Sequence, residues 1–203
     1  MLTARLQFWF EFASPYSYLS AMRIEETANR SGVELDWRPF LLGAIFKKDL
    51  GSIDSPMTKN PKKADYMWMD VARQSHRYRL SPFKVPDPFP QNGLLPTRIA
   101  CHLMGDSRLP EFARTVYSAH FQKGAGLTDA TALTNILEQL GFDAKSVLEK
   151  AGSLTVKQKL RNLTDEADSL GVFGAPFFVT QNGEMFWGDD RLEQAVESAL
   201  AKS

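Results

Sequence analysis

The stretch RLQFWFEFAS, residues 5–14, constrains this chain more than any other. Leu6, Phe8, Phe10 and Phe12 recur at a spacing of two, and Trp9 falls on the opposite side. Such aromatic alternation predicts a strand covered on both faces. Ser14 and Pro15 end it abruptly. The following YSYLSAMRIEETANRSG reads as a helix, with Leu19, Met22, Ile24 and Ala28 on its apolar side and Gly32 as a left-handed stop. VELDWRPF then alternates Val33, Leu35 and Trp37 with charges and predicts a second strand. Strand, helix, strand in so short a span is a βαβ unit, with a right-handed crossover and parallel pairing.

After Pro39 the period changes. Residues 44–170 show almost no alternation and many helix signals. Asn60-Pro61 sets a capping side chain before a first-turn proline, and the helix from there to Tyr78 carries Ala64, Met67, Trp68 and Val71 on one side. SPFKVPDPFPQNG, 81–93, is too rich in proline for regular structure. Further helices are expected from Leu94 to before Gly105, from Pro110, across LTDATALTNILEQLG, on to Gly152, and then up to Gly171. Alternation returns in the tail, where PFFVT and EMFWG flank Asn182-Gly183, a hairpin turn signal. Asp189 or Asp190 is expected to cap a last helix. The layout is therefore βαβ, a helical insert, then ββα.

The balance of 24 basic and 24 acidic residues argues against a bulk binder of nucleic acid or anionic membrane. No apolar run approaches the roughly 20 residues of a membrane span, and MLTARLQFWF lacks a signal-peptide layout. One cysteine, Cys101, excludes an intrachain disulfide. A soluble, cytoplasmic protein is expected. His76, His102 and His120 have no metal-ligand spacing, and no metal site is expected. Cys101 and the four tryptophans read as core or pocket wall, and no glycine-rich phosphate loop follows a strand.

Ser14 can be read in two ways. Serine at a helix start is usually an N-cap. The same position also faces the unpaired amides and positive end of a helix, a setting that lowers the pKa of a nearby thiol.

The motifs SPYSYLS, NPKKADYMWMD, FPQNGLLPTR, GVFGAPFF and FWGDDRL, in this order along the chain, resemble the kappa-class glutathione transferases, and most closely the bacterial 2-hydroxychromene-2-carboxylate isomerases. The resemblance covers essentially the whole chain. It implies an α/β, thioredoxin-like fold of the DsbA type with a large all-helical insertion: residues 1–43 and 171–203 form the thioredoxin-like domain, and 44–170 the insertion. In that plan a Cys-x-x-Cys motif sits where the first strand meets the first helix, and here it reads Ser14-Pro15-Tyr16-Ser17. Serine forms no mixed disulfide, so thiol–disulfide exchange within the chain is lost. The resemblance names a diffusible substitute, glutathione.

It further implies that Ser14 donates a hydrogen bond to the glutathione sulfur, worth about 1.5–3 kcal/mol, or roughly one to two pKa units. Pro176 is expected to hold a cis bond before the third strand, leaving the backbone of Ala175 to pair with the cysteinyl part of the tripeptide. Asp189 and Asp190, with help from Arg191, are expected at its γ-glutamyl end, where ordinary capping is the alternative. Lys63 is the expected carboxylate contact, and Asn92 a second substrate contact. Phe177 stands where relatives often carry Thr, Ala175 where Val or Leu is common, and Asp189 where Asn or Ser is usual.

The implied activity is glutathione-dependent cis–trans isomerisation between 2-hydroxychromene-2-carboxylate and trans-o-hydroxybenzylidenepyruvate, in degradation of aromatic hydrocarbons, by a homodimer. Rival readings are a kappa-class transferase or peroxidase, which consumes glutathione, and a non-catalytic thioredoxin-like binding module.

Overall fold

The computed structural model describes residues 4–53, 55, 59–80 and 82–201. The outermost residues of the expected thioredoxin-like domain, 1–3 and 202–203, lie outside that range. Four strands form one mixed sheet in the order β2-β1-β3-β4. β1 (Arg5–Phe10) and β2 (Glu34–Pro39) pair in parallel with Phe8 opposite Trp37. β3 (Phe177–Thr180) runs antiparallel to β1, placing Phe178 on the other side of Phe8. β4 (Met185–Trp187) closes the edge, antiparallel to β3. Gly183, at φ +82°, takes the left-handed conformation in the turn between them.

The spacing of two in β1 sorts its side chains between two cores. Leu6, Phe8 and Phe10 enter the larger one, whereas Trp9 lies in the other, edge-on to Phe40 at 6.1 Å and clustered with Leu160, Leu163 and Ala167. Both faces are thus covered, and the strand carries apolar residues on both sides for that reason.

The single helix expected between β1 and β2 is two: α1 (Pro15–Ala21) and α2 (Ile24–Ser31). The chain breaks at Arg23, whose φ of −132° lies outside the helical range. This break turns the Arg23 guanidinium toward Asp189, whose carboxylate and carbonyl both accept from it, at 3.2 and 2.7 Å. A long-range ion pair overrides a continuous local helical pattern.

The helical stretch between β2 and β3 contains α3 (Leu42–Leu50), which the sequence reading did not single out, then α4 (Pro61–Arg77), α5 (Leu94–His102), α6 (Leu109–Ser118) and α7 (Ala130–Gln139). α8 (Ala144–Ala151) and α9 (Leu154–Ser169) complete it. Its packing is continuous with the sheet domain. Phe12 meets Phe112 and Tyr117 of α6 at ring distances of 6.2 and 5.1 Å, within one apolar cluster reaching from β1 to α7 and α8.

After β4 a short 3-10 turn (Asp189–Arg191) leads into α10 (Leu192–Leu200). Neither Asp189 nor Asp190 caps this helix through its side chain, contrary to expectation. The Asp189 carboxylate is turned inward, where Ser20, Arg23 and Tyr78 occupy it. Among the described residues no helix is long and apolar enough to cross a membrane.

Candidate active site

The end of β1 and the entry to β3 meet at one corner. Ser14 has extended backbone (φ −81°, ψ 117°) and precedes Pro15, whose missing N–H leaves no donor unmet at a helix start. Its Oγ accepts from the Ser17 amide at 3.1 Å and donates to the Ala175 carbonyl at 2.9 Å. The Ala175–Pro176 bond is cis, and the Pro176 carbonyl accepts from the Gly188 amide at 3.1 Å. Ser14 is therefore a true N-cap and also one half of a tertiary contact across 161 residues.

This corner opens on a cavity of about 1280 Å³. Ser14, Ala175, Asp189, Asp190 and Asn92 all line it. α3 contributes Phe46 and Lys47; α4 contributes Met67, Asp70, Gln74 and Arg77. Phe173 and Trp187 form an exposed aromatic rim, with ring centroids 4.8 Å apart in an edge contact. Trp187 can lie there because residue 174 is glycine: a Cβ at that position would stand 2.2 Å from the indole Nε1.

The two acidic residues at the far corner do different things. Asp189 is buried, accepting from Ser20 Oγ at 2.8 Å, Arg23 Nε at 3.2 Å and Tyr78 Oη at 3.0 Å. Burial pushes its carboxyl up, against the opposing pull of Arg23. Burial and the same carboxylate push the Tyr78 phenol up to about 12. Asp190 projects into solvent at the cavity and pairs with Arg191 at 3.5 Å, while Arg191 itself is outside the cavity lining. Asn92 is turned back on its own chain, its Oδ1 accepting from the Leu94 amide at 2.9 Å at the start of α5.

Lys63 is exposed on the first turn of α4 and is not among the lining residues. It precedes Met67 by four positions, so it sits one turn farther along the face that supplies Met67, Asp70 and Gln74. Among the described residues, the cations in the lining are Lys47 and Arg77, neither of which sequence reasoning flagged.

Two further residues escaped it. Tyr16 donates to Asp70 at 3.0 Å across the cavity, and burial with that carboxylate raises its phenol. Glu11 also lines the cavity, beside Ser14, and burial pushes its carboxyl up to about 7 against the opposing Ala13 amide. The available signal for Glu11 was a lone carboxylate inside the aromatic run FWFEF. Among the described residues no three His, Cys, Asp or Glu side chains gather as a metal site.

The arrangement presents a hydroxyl and a helix start at one end of an open, aromatic-rimmed chamber, and cations and an exposed carboxylate along its walls. Known proteins share the fold around this chamber. The model of the DSBA-like thioredoxin domain family matches residues 5–201. A 2-hydroxychromene-2-carboxylate isomerase of Sphingobium xenophagum is 27% identical over 192 residues, covering 95% of this chain and 96% of the relative. Glutathione S-transferase kappa 1 of Homo sapiens is 26% identical over 205 residues, covering 95% and 89%. A solved structure of 2-hydroxychromene-2-carboxylate isomerase superposes with a TM-score of 0.83 at 25% identity, covering 97% of this chain and 94% of that one.

Proposed function

The chain belongs to the DSBA-like thioredoxin domain family, and from that premise we propose a glutathione-dependent isomerase acting on 2-hydroxychromene-2-carboxylate and trans-o-hydroxybenzylidenepyruvate. The observation that carries the reading is the Ser14–Ala175 hydrogen bond at the cavity corner. It joins the hydroxyl and the backbone segment suited to a cysteinyl thiol, and it replaces the dithiol of a redox enzyme with a group that only donates and accepts.

Bound glutathione would supply a thiolate nucleophile that adds to an unsaturated carbon and leaves again unconsumed. The protein residues do the rest. Ser14 turns its hydroxyl from the Ala175 carbonyl to the anionic sulfur. A neutral bond of about 1 kcal/mol is exchanged for a charge-assisted one of about 2 kcal/mol, a net gain of roughly one pKa unit or slightly less. Ala175 offers its backbone to the tripeptide as an added strand. Asp190, exposed, is placed to meet an ammonium, and the amides opening the 3-10 turn to meet a carboxylate. Asp189 serves this corner by fixing it, through Ser20, Arg23 and Tyr78, and Arg191 by orienting Asp190. Lys47 and Arg77 in the wall, and Lys63 at the head of α4, attract the aromatic carboxylate; Asn92 shapes its pocket. Residues 1–43 and 171–203 then hold the glutathione end, and 44–170 the substrate wall. The reading carries with it a cytoplasmic homodimer in aromatic hydrocarbon degradation.

The test is a titration of bound-thiolate absorbance. Ser14→Ala should raise the thiol pKa by about one unit or slightly less and slow turnover; an identical titration curve would falsify the role. A second reading, a kappa-class transferase, is supported by the human relative. Free thiol measured during turnover separates the two, since stoichiometric loss excludes an isomerase.

A further inference from the structure

Ionising a thiol inside a cavity requires somewhere for its proton to go. Ser14 is no acceptor for it: its oxygen already takes the Ser17 amide, and a hydroxyl has no basicity near neutral pH. The side chain that answers the need is three residues earlier. Glu11 follows the last residue of β1 and lines the same cavity. Its Oε2 accepts from the amide of Ala13, the residue beside Ser14, at 3.1 Å, and its backbone carbonyl accepts from the Ser14 amide at 3.1 Å. The other oxygen, Oε1, points toward Gly93, where an added Cβ would stand 3.0 Å away. No hydrogen bond to Oε1 is formed among the described residues. One carboxylate oxygen is thus fixed and the other is open, beside a glycine whose missing side chain leaves it uncrowded.

We propose that Glu11 is the proton acceptor for the thiol bound at the Ser14 corner, a role that rests on the glutathione reading above. The S–H bond breaks with its electron pair remaining on sulfur, and an O–H bond forms at the Glu11 carboxylate. Glu11 then offers this proton to the substrate oxygen that gathers charge and recovers it as the reaction closes, so no net proton is exchanged.

The surroundings suit the task. The titratable side chain packed against Glu11 from another element is Tyr117 of α6, whose hydroxyl is committed to the Glu11 carbonyl at 2.9 Å and whose own ionisation is pushed well up by burial. The neighbouring 91–93 turn brings glutamine, asparagine and glycine, which do not titrate. Lys47, Arg77, Asp70, Asp190 and Glu193 share the cavity, while burial raises the Glu11 carboxyl and the Ala13 amide opposes it. Burial alone brings its proton affinity near that of an activated thiol, the match that efficient proton transfer requires.

Calorimetry of glutathione binding in buffers of different ionisation enthalpy counts the protons released. Above neutral pH Glu11 starts ionised, and once the proton is transferred the neighbouring thiolate, a like charge, holds it on the carboxyl, so wild-type protein should form the thiolate, read by its absorbance, with little net release. Glu11→Gln, which retains an acceptor for the Ala13 amide, should instead release about one proton per thiolate formed. A Gly93→Ala variant, which crowds Oε1, should shift the count in the same direction. If Glu11→Gln forms the thiolate with an unchanged proton count, Glu11 is not the acceptor, although the glutathione reading survives. If wild-type protein binds no glutathione, both fall together.

Discussion

Replacing Glu11 with glutamine isolates a free-energy cost that the folded protein carries above neutral pH. Glu11 is partly buried, and its carboxyl ionises at about 7 when folded, against an ordinary value of 4.5. The raised value means the folded state holds its proton more tightly than the unfolded chain does. Below 4.5 both states are protonated and nothing is lost. As pH rises from there through 7, the unfolded chain ionises freely while the folded one must desolvate a charge, and stability falls. At about 1.36 kcal/mol per pKa unit, the full loss is about 3 kcal/mol above neutral pH. Glutamine, close in shape to the protonated acid, escapes it. Urea denaturation of both proteins should therefore give similar stabilities at about pH 4 and a glutamine variant more stable by up to about 3 kcal/mol at about pH 8.5. Curves that stay parallel across this range would refute the reasoning, since they would mean that Glu11 ionises like a hydrated carboxyl.

Other substitutions probe the walls. Gly174→Ala must displace the Trp187 indole, because the new Cβ would lie 2.2 Å from Nε1; a loss of about 1–3 kcal/mol in stability and an altered tryptophan emission are expected. Asp189→Asn withdraws the buried charge facing Arg23, with Glu193 as the remaining carboxylate partner of the guanidinium; thermal unfolding should report a cost of about 2–3 kcal/mol. On the proposed substrate reading, Lys47→Ala should weaken aromatic carboxylate binding several-fold, and more than Lys63→Ala does, because Lys47 lines the cavity while Lys63 stands outside its lining; equilibrium titration of the two variants decides the order.

What the sequence made legible follows from locality. The β1–α1 junction, Pro176 and the Asn182-Gly183 turn each depend on a few adjacent residues, and all are where patterning puts them. The boundaries of α4, α7 and α9 are set by neighbouring caps at Asn60, Asp129 and Ser153 in the same way. The site is read less completely because it is assembled from distant pieces. Arg23 breaks the expected helix for a partner 166 residues away. The same pairing takes Asp189 out of the role of a helix cap. Glu11 is one carboxylate in an aromatic run, with nothing local to mark it, until Gly93 and Tyr117 close around it. Lys47 enters the cavity only because α3 folds back beside it. Period and propensity carry no information about such encounters.

The mutual bond between Ser14 and Ala175 also sets a threshold for admission. The hydroxyl and the carbonyl satisfy each other, so a visitor must outbid a peptide carbonyl before the hydroxyl will turn. An anionic sulfur clears this bar; a neutral thioether, a far poorer acceptor, does not. Under the proposed glutathione reading, S-alkylated glutathione should consequently be a weak competitor even though it keeps every other handle of the tripeptide, and discrimination at this corner would operate on charge before it operates on shape.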